Sequence, residues 1–136
     1  MPRMEVVLYR EDEETVPVRD WLLDLGARQP RVLAKCLVAV ERLAEMGHEL
    51  RRPEADLLRD GIHELRIRFG SVNYRLLYFF HERTVAVLAH ALTKEAAVPG
   101  RDIDRAVERM RKFATDPKAH AYPMPTPKEE HDEDND

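Results

Sequence analysis

"ELRIRFGSVNYRLLYFF", Glu64 to Phe80, reads as two strands joined by a short turn. In its first half Leu65, Ile67 and Phe69 share one face, and Glu64, Arg66 and Arg68 share the other, because side chains alternate along a strand. One face is therefore packed, and the other is wet or bound. The second half is apolar on both faces except at Arg75. Such a central strand needs two covering layers, or one layer and a functional surface. Sheet interiors rarely keep three guanidinium groups without a partner. Arg66, Arg68 and Arg75 are thus either solvated surface charge or converge on something anionic.

Working outward, strands are expected at about Ile62–Phe69, Asn73–Phe80 and Thr84–Leu92. The links "GSV" and "HER" are short enough for hairpins, which makes an antiparallel meander. Upstream, "MEVVLYR" (Met4–Arg10) is a β-rich run. Pro17 suits a first helical turn, and Val18, Trp21, Leu22 and Leu25 give an amphipathic stripe ending near Gly26. A second helix runs from Pro30 to about Met46, with Leu33, Leu37, Val40 and Leu43 at helical spacing and Gly47 placed as its C′ residue. The short link between these helices implies an antiparallel hairpin. "HELRRPEADLLRDG" is expected to be irregular. A third helix spans about Arg101 to Ala114. The order β-α-α-β-β-β-α implies an α+β domain, residues 1–116, with helices packed on one sheet face and the site on the opposite face. Residues 117–136, rich in proline and then in charge, are expected to be a disordered acidic tail.

The chain carries 22 Lys and Arg against 26 Asp and Glu. The last nine residues, "KEEHDEDND", hold one of those bases and six of the acids, so the remainder is close to neutral. Bulk charge gives no case for nucleic-acid binding, which must rest on local placement. Cys36 is the single cysteine. It excludes an internal disulfide, points to a reducing compartment, and falls within an apolar helical pattern as a core residue. No apolar run reaches membrane-spanning length and no signal-peptide pattern opens the chain, so a soluble cytoplasmic protein is expected. Tyr74 and Tyr78 share a face with Leu76 and Phe80 and are read as core. His63 and His81 lack metal-ligand spacing with Cys36 or a carboxylate run, so no zinc site is expected.

"GIHELRIRFGSVNYRLLYFF", followed by "VLAHALTKEAAVPGRDIDRAVERMRKF", resembles the RelE/ParE superfamily of type II toxins, most closely its HigB-like, phage-derived branch. The likeness covers Met4 to about Phe113. It rests on an "ELR.R" strand, a "YR.LY" strand, an "H.L.K" strand end and a "P..DI..A..R" helix, in that order. The resemblance implies a small RelE-like fold and a metal-free mRNA endoribonuclease acting on translating ribosomes, with no cofactor. It implies inhibition by a cognate antitoxin of helix-turn-helix type, with operator DNA bound only through that complex. Within the superfamily, a ParE-like inhibitor of DNA gyrase and a non-catalytic antitoxin-binding member are the alternatives. RNA cleavage through the 2′-hydroxyl needs a base, an acid for the departing 5′-oxygen and cations for the phosphorane charge. Arg66, Arg68, Arg75 and Lys94 match the family's basic positions, and Arg59 could extend that surface. His90 is the assigned titratable group, beside His63 and His81. The segment Arg101 to Ala114 contains no tyrosine, a residue some members use there.

Overall fold

The computed structural model of the protein describes residues 3–93 and 96–124. The elements are β1 (Glu5–Tyr9), α1 (Pro17–Arg28), α2 (Pro30–Met46), a 3-10 turn (Gly47–Glu49), β2 (Ala55–Arg59), β3 (Ile62–Phe69), β4 (Val72–His81), β5 (Val85–Thr93), α3 (Gly100–Thr115), α4 (Pro117–His120) and β6 (Ala121–Pro123). The fold is α+β, and β3, β4 and β5 form the expected antiparallel meander. Three further strands, β1, β2 and β6, enlarge it into a six-stranded sheet of order β2-β3-β4-β5-β1-β6, with β1 parallel to β5. No described helix is long and apolar enough to cross a membrane.

Both helices of the hairpin start on proline, whose fixed φ suits a first helical turn. The first continues past Gly26 to Arg28. A Cβ at Gly26 would lie 2.6 Å from Leu33 Cδ2, so this glycine serves close helix–helix approach rather than termination. Gly47 does end α2, at φ +53°.

The passage expected to be irregular contains β2, which pairs antiparallel with β3. Its turn is Asp60-Gly61, with φ of 54° and 82°. Positive φ at both central residues is the geometry of a tight hairpin turn whose twist matches its strands. A register shift between Leu57 and Arg59 interrupts the alternation that would have marked this strand in the sequence.

A second correction concerns the layers. The expectation put all helices on one sheet face. Instead α1 and α2 cover one face, with Leu65, Ile67, Tyr74, Leu76, Tyr78 and Leu88 beneath them. The third helix covers the other, with Ile62, Leu77, Phe79 and Val87 packed against Ile103, Ala106, Val107 and Phe113. The two-sided apolarity of β4 is thus met by two layers. Cys36 is buried in the first core, where burial pushes its thiol up to about 11.

The third correction is at Pro117, where the disordered tail was expected to begin. Pro117–His120 form a helical turn and Ala121–Pro123 pair antiparallel with β1. His120 Nδ1 donates to the Arg10 carbonyl at 2.6 Å, and its ring stacks on Tyr9 at 5.4 Å. Tyr122 packs against the first core beneath Arg19. The remainder of the expected tail, 125–136, lies outside the described residues. Truncation after Asp116 should therefore cost stability, about 2 kcal/mol from the lost strand hydrogen bonds and Tyr122 burial. Urea unfolding checks this, and an unchanged midpoint would mean that β6 contributes nothing.

Candidate functional site

On the α3 side of the sheet, cross-strand register sets out the polar residues as a grid. Glu64, Leu77 and His90 form one row, and Arg66, Arg75 and Leu92 the next. Arg68 stands opposite Asn73 in a third. Directly opposed residues of an antiparallel pair share a face at close Cβ spacing, so this row structure follows from the strands alone. Arg66 is partly exposed and Arg68 exposed.

The three arginines have different fates. Arg75 is only 7% exposed and Glu64 2%. Arg75 Nη1 donates to both Glu64 oxygens, at 3.0 and 2.9 Å. Its Nη2 donates to the Ala96 carbonyl at 2.9 Å. Arg66 Nε donates to Glu64 Oε1 from the other side. The anion on which Arg66 and Arg75 converge therefore belongs to the chain itself. Two guanidinium groups meet one carboxylate, so the group carries one net positive charge. Arg75 Nε is buried with no hydrogen-bond partner among the described residues. Arg68 has no acidic partner among them, and its Nε donates to the Gly70 carbonyl at 3.2 Å.

His90 lies one strand from Arg75 on the same face and is held in a clamp to α3. Arg109 Nη1 donates to the Ala89 carbonyl at 2.7 Å and approaches His90 Nδ1 at 3.3 Å. An arginine can only donate, so Nδ1 accepts and the ring hydrogen sits on Nε2. It is donated to Asp102 Oδ1, 2.7 Å away. Burial lowers the His90 pKa from its usual 6.5; the Asp102 hydrogen bond works against this and the Arg109 charge with it. The neutral form is the one this clamp requires.

The other sequence-assigned residues are placed elsewhere. Arg59 joins the β2–β3 turn to the start of α3, with its guanidinium on Asp60, Asp104 and the Gly100 carbonyl. It does not extend a free basic surface. Lys94 lies outside the described residues. His63 is on the opposite face, stacked on Tyr78 at 5.2 Å and edge-on to Phe80 at 5.1 Å. His81 sits against the Phe113 ring. The structure thus brings together Arg66, Arg68 and Arg75 with His90 one strand away, and leaves Arg59, His63 and His81 apart. Sequence reasoning had assigned no role to Glu64, Asp102 or Arg109. For Glu64 a signal existed, since the β3 alternation puts it on the arginine face. For Asp102 and Arg109 helical spacing alone does not reveal the strand residue they reach. Among the described residues no group of three or more His, Cys, Asp or Glu could hold a metal ion.

Burial also lowers the His63 pKa from 6.5, as does the nearby His48 charge. With both histidines lowered, the folded state holds fewer protons than the unfolded chain just below pH 6.5. Stability is then fully present above the unfolded value and is lost as pH falls through this window. Urea midpoints should drop between about pH 7.5 and about pH 5.5. His63→Phe keeps a ring against Tyr78 and removes one titrating group, so it should flatten that slope. An identical slope in wild type and variant would contradict the assignment.

A family model described as "Phage derived protein Gp49-like (DUF891)" matches residues 20–111. No curated protein matches the chain. The matched stretch begins within α1 and ends within α3. It includes every residue of the grid and the clamp on His90. By that match the chain belongs to the Gp49-like family of phage-derived proteins.

Proposed function

We propose that the protein is the toxin of a type II toxin–antitoxin system, in the HigB-like branch of the RelE/ParE superfamily, and that it cleaves mRNA on translating ribosomes in the cytoplasm. The observation that carries this reading is the Glu64-held Arg66 beside Arg68 on one strand face. Two guanidinium groups there match the need for cations at a phosphorane, since arginine stays protonated and fits phosphate oxygens in a fork. Arg75 serves this surface from below, as the counter-ion of Glu64. Lys94, outside the described residues, is assigned to RNA contact by the resemblance alone. His90 is the assigned proton-transfer group, and to act it must release Nε2 from Asp102 or Nδ1 from Arg109. A cognate antitoxin with a helix-turn-helix domain would cover this face, and the complex would bind operator DNA.

A second reading is favoured by one feature: both His90 ring nitrogens are engaged. A member acting by protein contact, on gyrase or on its antitoxin alone, needs no free base. Brief expression in a bacterial host, with mRNA 5′ ends and plasmid topology mapped together, separates the readings. Translation-dependent cuts are the expected result. Gyrase-linked DNA breaks without mRNA cuts would overturn it in favour of the ParE-like action, and neither effect would leave antitoxin binding.

A further inference from the structure

The best-buried charged group in the grid is Glu64, and it is the one the cleavage chemistry does not use. A buried carboxylate is costly unless paired and hydrogen-bonded, so its presence beneath a cationic surface needs a reason. Its contacts supply one. Arg75 Nη1 spans both oxygens from one side. Arg66 approaches Oε1 side-on through Nε. Arg66 Nη2 is 3.5 Å from Asp56 Oδ2, beyond a direct hydrogen bond. That carboxylate is already held by Arg52, with Nε at 3.0 Å and Nη2 at 2.9 Å. Among the described residues the Nη edge of Arg66 is thus left without a short partner, on a side chain 33% exposed.

We infer that Glu64 is a positioning residue: its carboxylate fixes the Arg66 guanidinium at the β3 face, while buried Arg75 neutralises it so that Arg66 keeps its charge for an incoming RNA phosphate. An arginine free in solvent is spread over many rotamers. One held at Nε has its two Nη groups preset in a plane, and cations that need no reorganisation stabilise transition-state charge best. Without Arg75, the Glu64 charge would cancel that of Arg66. With it, the trio presents a single positive charge at the only partly exposed member. The inference rests on the RNA-cleaving reading.

The test is single-turnover cleavage of a defined mRNA in a translation extract, read as maximal rate and as the toxin concentration giving half of it. Glu64→Gln keeps the side-chain shape without the charge. Its maximal rate should fall about tenfold, as for a misplaced catalytic group, with a smaller change in the half-maximal concentration. In an Arg66→Ala background the same substitution should cost nothing more, because there is no guanidinium left to position. A role in the fold alone would instead multiply the two losses. Glu64→Gln leaves Arg75 buried without a counter-charge, so Glu64→Gln with Arg75→Gln, a neutral amide pair, is measured beside it, and thermal midpoints are taken for all variants. If wild type cuts mRNA but the losses multiply, or if Glu64→Gln cuts at the wild-type rate, the positioning role is overturned and the RNA reading stands. It is overturned also if neither variant holds the wild-type fold. If wild type cuts no mRNA, the functional reading fails and this inference with it.

Discussion

Arg75→Ala is expected to lower the unfolding free energy by about 3–5 kcal/mol. The substitution strips a carboxylate that is 2% exposed of the nitrogen that bridges both its oxygens. It also removes the bond to the Ala96 carbonyl. Arg66 remains, but it reaches one oxygen from a partly solvated position. An exposed ion pair contributes about 0–1 kcal/mol; the burial of both partners here sets the larger figure. From the sequence, Arg75→Ala is expected to stop growth arrest with the fold intact. The structure revises that expectation, because loss of activity would follow from unfolding. Urea denaturation decides it, with a lower midpoint at unchanged slope as the expected outcome. A matching midpoint would mean that the pair is energetically neutral. Glu64→Leu combined with Arg75→Leu should recover most of the loss, since two apolar groups of similar volume leave no buried charge behind.

Arg66→Ala with Arg68→Ala should do the opposite, abolishing activity while sparing the fold. Arg68 is exposed, and among the described residues its side chain is bonded only to the Gly70 carbonyl. Removing Arg66 leaves Glu64 both of its bonds to Arg75, so the stability cost should stay near about 1 kcal/mol, one hydrogen bond's worth. Loss of two cations at a developing phosphorane should reduce mRNA cleavage by on the order of 10²–10³-fold. Growth arrest on induction and mRNA 5′-end counts report the second effect, and circular dichroism with a urea midpoint the first. Full toxicity in a well-expressed double variant would exclude these arginines from the chemistry.

Alternation and helical spacing are local properties, and what depends on them was legible. The Leu65/Ile67 face of β3 was assigned to a packed layer and lies beneath α1 and α2. The bounds of β3 and α2 follow from period 2 and period 3.6, and Arg75 stood out because its strand neighbours are apolar. β2 and β6 did not stand out. One has its alternation broken by a register shift, and the other is three residues long and strand-like only because β1 offers an edge. The sequence raised the question of what three arginines on one hairpin are for, and the tertiary structure answered it. Glu64 and Arg75 lie 11 positions apart and meet only because the β3–β4 register sets Glu64 diagonally across from Arg75. Burial then converts that proximity into a structural ion pair. The same holds for His90, whose neutral form depends on Asp102 and Arg109 of a helix packed across the sheet. Residue type and spacing determined which groups share a face. Which of them face water, and which face each other, was decided by α3 and by strand register, since the strength of a charge interaction depends on the solvent that long-range packing removes.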